Sequence, residues 1–453
     1  MALIGALTAV AWTLSACGPG SAGPIATGTG GAAGQIASGG SMQSGTGGGA
    51  SPAQGGAGGT AAGGTAAGGP GGAAGAISTG GTVGSSGAPG TGGSATGGSG
   101  AGAATFAADR IIVTGVRGTT TPVASSTIGL HNGSQSSVQV TGISLGQSAQ
   151  LTLGPSGTAV QASGTPLAGA SPFTVVSPTT FPVSIGPGMD LAVTVQMTTT
   201  ASNLPAPPSD KNLGCTLLGA TLTATAGSVP VTAAVYGLLL IQDNYEPTLG
   251  QVLIALGYKL DVGKAQNDWN PNTSMMAVDL PGIEAGTDEV AAPLFTKAAA
   301  GPVTLTVAAR FSPAGVLPYG WYPSTSAGTM NVVGTMSMTA DAQTSNKARM
   351  VYPPLQAGSA TSFDPGSGPF GLWIFSDQKT EKYNEGGNTI NGDYDYTQDA
   401  LNSPAGVHRV KSYPLKDSAG SAIAHQYLVA VEEAGNGDYQ DYVFVLGNVS
   451  AAP

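Results

Sequence analysis

The chain has 453 residues, of which 74 are glycine and only 8% are charged. That composition is foreign to a single ordinary globular domain. The net charge of −10 and the lack of any Lys/Arg cluster exclude a nucleic-acid binder, which needs cationic side chains to neutralise phosphates.

Residues 2–16 are an apolar run of the length of a signal-peptide core and too short to span a bilayer. The run ends in Leu14-Ser15-Ala16-Cys17-Gly18. Small residues let a chain enter a peptidase groove, and the cysteine sulfur is the group that takes a lipid. The stretch resembles the bacterial lipoprotein lipobox. That resemblance implies a diacylglyceryl group on Cys17, a membrane partner reached through the lipid, and an extracytoplasmic, lipid-anchored protein. Gly18, where an aspartate would retain the protein, points to the outer membrane or cell surface. No basic residue precedes the apolar run, so translation is expected to start further upstream. Each buried CH₂ contributes about 0.8 kcal/mol, so several acyl chains anchor firmly. With Cys17 lipidated, Cys215 has no partner, and it is expected to be a small core thiol without an intramolecular disulfide.

Residues 18–104 are Gly, Ala, Ser and Thr with scattered Pro. They carry too little apolar surface to offset ordering entropy and lack the period of collagen. The expectation is a disordered tether with a typical span of about 50 Å.

Residues 105–237 alternate as strands do. Leu191, Val193, Val195 and Met197 interleave with polar or small residues, the pattern of a half-buried strand. Gly186-Pro187-Gly188 supplies the turn that precedes it, predicting a hairpin with residues 181–185. Leu218, Ala220 and Leu222, followed by Val231, Ala233 and Val235, predict another pair. Short strands with Gly/Pro turns suggest an antiparallel sandwich. The order of Ile128-Gly129-Leu130-His131-Asn132-Gly133, residues 140–145, residues 173–176 and the Gly-Pro-Gly turn resembles Ig-like domains of the Hydin type. The resemblance implies a spacer or interaction module with no catalytic residues. Gly142-Ile143-Ser144-Leu145-Gly146 matches the G-x-S-x-G nucleophile elbow in letters, but no helix follows it, as an elbow requires.

Residues 238–453 open on Glu246-Pro247-Thr248-Leu249, and Gly257 closes the same stretch. Pro near the start and Gly at the end predict a short helix with Leu249, Val252, Leu253 and Leu256 on its apolar face. Strands are expected over 303–307, 330–338, 370–375, 427–431 and 442–446. The strand at 370–375 is apolar on both faces, as a central strand covered on both sides would be. Trp321, Tyr322 and Trp373 are the aromatics that could form a sugar platform.

The stretch 427–445 carries Glu432-Glu433, a Gly/Asn turn, then Asp438-Tyr439-Gln440-Asp441. A hairpin brings these carboxylates together, and like charges held close repel unless something neutralises them. A hard cation with six to eight oxygen ligands, Ca²⁺ above all, suits Glu432, Glu433, Asp438 and Asp441; solvated turn carboxylates are the alternative. The stretch resembles an uncharacterised family of bacterial secreted β-domains whose signature reads F-E-D, a short loop, then D-Y-N-D-x-V-F. Val431 stands for its Phe and Gln440 for its Asn. The likeness extends upstream through Asp288-Glu289, residues 319–322, 362–366 and 399–402. It implies an extracellular setting and a cation site, with no established activity. A second acidic stretch, Asp393, Asp395 and Asp399, spaces its oxygens like an EF-hand loop. It has Tyr396 where that loop needs Gly and Asn402 where it needs Glu, so a surface loop is expected there, with a second calcium site as the alternative.

His131, His408 and His425 form no zinc-hydrolase pair. Asp377 with Glu381 is the carboxylate pair a glycosidase would need, with nothing to place it in a cleft. The expectation is therefore a mainly β chain, not an enzyme: a disordered Gly-rich region, an Ig-like β-sandwich, then a second, jelly-roll-like β-sandwich with one short helix. Its expected role is a cell-surface lipoprotein serving adhesion or envelope interactions with an unknown polysaccharide or protein ligand. A carbohydrate-binding surface protein is the alternative, and a secreted hydrolase a more distant one.

Overall fold

The computed structural model describes residues 104–453 except 121–122, 154–162, 203, 209–213, 242–245, 265–283, 314, 327, 338–346, 377–392, 403–407, 434–437 and 453, together with the side chains of some flanking residues, Asp393 among them. Cys17, the Gly-rich stretch, Asp377 and Glu381 lie outside the described residues. What is described is mainly β, with two sandwiches and one α-helix. Among the described residues no helix is long and apolar enough to cross a membrane.

The first sandwich has a four-stranded sheet in the order Ala104–Phe106, Ser125–Asn132, Asp190–Met197, Phe173–Ser177. It faces a larger sheet in the order Arg110–Val116, Val229–Leu240, Thr216–Ala226, Val138–Leu145, Val183–Ile185. Alternation decides what each strand buries: Val193, Val195 and Met197 point inward and meet Val140, Leu222 and Val235 of the opposite sheet. Thr216–Ala226 and Val229–Leu240 pair antiparallel over their whole length, as their sequence predicts. Arg110–Val116 joins Val229–Leu240 in parallel, so the sandwich is not purely antiparallel.

The Gly-Pro-Gly turn is not a hairpin. Val183–Ile185 pairs with Val138–Leu145 in one sheet, whereas Asp190–Met197 pairs with Ser125–Asn132 in the other. The turn arches between layers, with Gly188 at φ 67°. Buried Asn132 fixes the arch: its side-chain amide donates to Ile185 O (2.9 Å) and Ser136 O (2.8 Å), and its backbone carbonyl accepts from Gly188 N (2.8 Å).

In the second sandwich, Asn331–Met336, Leu317–Pro323, Phe370–Ser376, Leu294–Lys297 and Val449–Ala452 form one sheet. Lys347–Val351, Val303–Pro313, Tyr442–Gly447, Ala422–Val431 and Val410–Lys416 form the other. Phe370–Ser376 is covered on both faces. Phe370, Leu372 and Ile374 enter the main core, and Trp373 packs on the other side with Leu294 and Tyr322.

The helix, Leu249–Leu256, joins the two sandwiches. Thr248 caps it reciprocally with Gln251: Thr248 Oγ1 accepts from Gln251 N (3.3 Å), and Gln251 Oε1 accepts from Thr248 N (3.1 Å). Such a capping box satisfies two otherwise orphaned N–H groups. Gly257, at φ 84°, closes the helix in the left-handed conformation that glycine favours there. All eight helical residues are buried, not only the apolar face. Val252, Leu253 and Leu256 share one core with Val116, Leu217 and Leu238 of the first sandwich and Phe311, Tyr413 and Leu428 of the second. Gln251 also clasps the peptide of Cys215, accepting from its N (3.0 Å) and donating to its O (2.7 Å).

Candidate metal centre

Strands Ala422–Val431 and Tyr442–Gly447 pair so that Val431 lies opposite Tyr442. The acidic residues therefore sit just past the last rung of the ladder. Tyr439, at φ 53°, turns the returning chain sharply. Glu432 Oε2 accepts from Asp438 N (2.9 Å) and Tyr439 N (3.1 Å). Asp441 Oδ2 accepts from Glu433 N (2.7 Å). These bonds pull the carboxylates into one place: one oxygen each from Glu432, Asp438 and Asp441 lies within 4.8 Å of the others. The three residues are 0%, 2% and 3% exposed.

Glu433 does not join them. Successive residues of an extended chain face opposite ways, and its Oε2 accepts from the hydroxyl of buried Tyr442 instead. Two residues complete the group that sequence reasoning did not assign to it. Gln440 is fully buried, its amide bonded to Asp438 and donating from Nε2 to Glu246 Oε2 (3.2 Å). Its Oε1 has no hydrogen-bond partner among the described residues. Glu246, which precedes the helix, is 9% exposed. Burial pushes the Asp438 carboxyl well above its usual range, and Glu432 and Glu246 push it further. Asp441 is raised by burial first, then by Glu432, Asp438, Glu433 and Glu246.

Among the described residues, the second acidic stretch does not converge. Asp393–Tyr396 is a strand paired with Phe370–Ser376, not a loop, and the side chain of Asp393 lies outside the described residues. Tyr394 and Tyr396 settle the strand by packing edge-on against Trp373 and Tyr322. Asp395 is buried, with Oδ1 3.8 Å from Arg409 Nε. Asp399 opens a 3₁₀ turn and faces His408 Nδ1 (3.0 Å). Asn402 serves the turn, accepting from Tyr396 N (2.7 Å) and donating to Tyr396 O (3.1 Å).

His408 bridges Asp399 and Glu289, with Nε2 2.9 Å from Glu289 Oε1. The Glu289 contact, opposed by burial and helped by Asp399, raises the imidazole above its ordinary value. Lys411 Nζ lies 3.1 Å from Glu289 Oε2 and 4.6 Å from the centre of the Tyr439 ring. The Tyr439 hydroxyl donates to His408 O (2.7 Å). Arg409 is 1% exposed and donates from Nη1 to Glu433 O (2.9 Å) and Glu432 O (3.4 Å).

The aromatics read as a sugar platform are mostly interior. Tyr322 is 0% and Trp373 4% exposed, and half-buried Trp321 stacks on Phe363 at 5.7 Å. Ser144 lies within strand Val138–Leu145, opposite Thr223, with no helix after it. Cys215 is free and buried, and burial raises its thiol far above the usual range.

Neither a protein-family model nor a curated protein matches the chain. Among solved structures it is similar to the ASH/PapD-like domain of human CEP192, at 12% identity over 31% of this chain and 87% of that one, TM-score 0.22. It is similar to the YadV chaperone at 11% identity over 65% and 98%, TM-score 0.19. A family 123 glycoside hydrolase from Clostridium perfringens matches at 9% identity over 33% of this chain and 28% of that one, TM-score 0.20. Likeness at this level carries nothing about activity, ligand or partner.

Proposed function

We propose that the chain is a non-catalytic surface-display protein, held to a membrane by a lipid on Cys17, whose outer sandwich binds Ca²⁺ through Glu432, Asp438 and Asp441. The convergence of three buried carboxylate oxygens within 4.8 Å carries this reading. Oxygens on opposite sides of a calcium ion lie about 4.8 Å apart, since each bond is about 2.3–2.6 Å. The unpartnered oxygen of buried Gln440 adds a neutral donor of the hard kind that Ca²⁺ takes. The lipobox-like Leu14-Ser15-Ala16-Cys17 and the Gly-rich stretch support display at an extracytoplasmic surface, in adhesion or envelope contacts. A sugar-binding role finds less support, because Tyr322 and Trp373 belong to the core.

Thermal unfolding of the full-length protein in EDTA and then in millimolar CaCl₂ tests the cation. A ligand that binds only the native state stabilises by about 2.7 kcal/mol at 100 times its Kd. The midpoint is expected to rise by several degrees in the wild type and to stay put in Asp438→Ala/Asp441→Ala. Equal midpoints with and without calcium in the wild type would sink the cation site. Labelling of growing cells with radioactive palmitate tests the anchor, with incorporation expected in the wild type and lost in Cys17→Ala.

A further inference from the structure

We propose that the cation site is a clamp on the joint between the two sandwiches: Ca²⁺ held by the hairpin is coupled through Gln440 and Glu246 to the seating of helix Leu249–Leu256. This rests on reading the hairpin as a calcium site.

The connection is short, and all of it but half-buried Thr248 is buried. Asp438 and Asp441 flank Gln440 in the chain, so a cation that fixes the two carboxylates fixes the residue between them. Gln440 Nε2 reaches Glu246 Oε2 at 3.2 Å, across 194 residues of sequence. Glu246 is followed by Pro247 and then Thr248, the residue that caps the helix. Pro has a fixed φ and Thr248 is held by Gln251, so Glu246 has little freedom of its own. Gln251, one turn on, grips both polar groups of the Cys215 peptide in the first sandwich. The path from metal to first sandwich therefore runs through Gln440, Glu246, the cap and Gln251.

The charges give the coupling its sign. A divalent ion held by the hairpin carboxylates attracts the Glu246 carboxylate, which lies one amide away through Gln440. Gln440 Oε1, without a hydrogen-bond partner among the described residues, is the polar atom that an arriving ion would satisfy. Coupling of this kind is reciprocal: whatever calcium does for the helix, a seated helix does for calcium affinity.

Glu246→Gln in the full-length protein tests the clamp, with calorimetric CaCl₂ titration and amide hydrogen exchange as readouts. The substitution keeps shape and removes one buried charge, so the variant is expected to melt in EDTA no lower than the wild type, which checks its fold. Its calcium affinity is expected to fall at least 5-fold. Calcium should slow exchange in residues 249–256 of the wild type but not of the variant, while residues 442–447 respond in both. Gln440→Leu should cut the same coupling from the hairpin side. Wild-type affinity in Glu246→Gln, with the helix still responding to calcium, overturns the clamp and leaves the hairpin site standing. No calcium uptake by the wild type overturns the site and the clamp together.

Discussion

The acidic stretches at 393–399 and 432–441 have similar ingredients, and the fold treats them in opposite ways. In the first, each described carboxylate has a cationic neighbour from strand Val410–Lys416 or just before it. Asp395 faces Arg409, and Asp399 shares His408 with Glu289, which also holds Lys411. In the second, backbone N–H groups draw Glu432 and Asp441 inward, and Asp438 joins them with a raised pKa. Arg409 gives its Nη1 to the carbonyls of Glu432 and Glu433. In a chain with 8% charged residues, where the few cations fall decides which acids become ion pairs and which gather with one another.

The sharpest way to break this comparison is Arg409→Met. Removing one partner of a buried pair leaves the other charge stranded, typically at a cost of about 3–5 kcal/mol. Denaturant unfolding should show that loss with or without calcium, and adding Asp395→Asn should recover much of it. A loss below about 1 kcal/mol would mean that Asp395 does not depend on Arg409.

Asp441→Asn should do the reverse at the other site. It relieves repulsion, so its midpoint in EDTA is expected to exceed the wild type by about 2–4 °C, equivalent to about 1 kcal/mol for a domain of this size. In calcium the order should invert, because the variant has lost a ligand. Parallel shifts in both buffers would contradict the assignment.

pH separates the stretches more gently. Burial and neighbouring carboxylates raise Asp438 and Asp441 well above the ordinary carboxylate range, so the native state binds more protons than the unfolded chain. The stability they contribute is present below the unfolded value and lost as pH rises through the raised native value. Calcium binds the deprotonated forms, so its stabilising effect should grow over the same range. Midpoints measured from pH 4 to 8 in EDTA should fall from this site, and in calcium they should not.

The smallest effect is expected at His408, whose side chain is 36% exposed. Its native pKa is raised above 6.5, first by the bond to Glu289. That stabilisation is complete below 6.5 and fades as pH rises through the native value. Being partly exposed, the bridge is worth below about 1 kcal/mol. His408→Gln should remove this part of the pH dependence near neutrality while calcium affinity stays unchanged.

Local pattern carried much of the fold. Leu191 to Met197 alternates because one face is buried, and the helix announces itself through Pro247 and Gly257. The convergence of Glu432, Asp438 and Asp441 was legible because a hairpin fixes short-range geometry. What needed long-range information was not. The turn at Gly186-Pro187-Gly188 looks the same whether its flanking strands share a sheet or not. Asp393–Tyr396 became a strand because Tyr394 and Tyr396 found distant aromatics. Trp373 and Tyr322 could have faced either way until the 393–401 segment covered them. Glu246 gave no local sign of its partner, which lies 194 residues away.

Cys215 turns the joint into something that keeps its own time. It is the free thiol among the described residues, 1% exposed, wedged where the helix meets the first sandwich and held un-ionised by burial. A thiol in that state does not react with a maleimide until its surroundings part, so each labelling event counts one opening. The rate at which a folded population takes up reagent is then a clock for how often the two sandwiches come unseated from the helix.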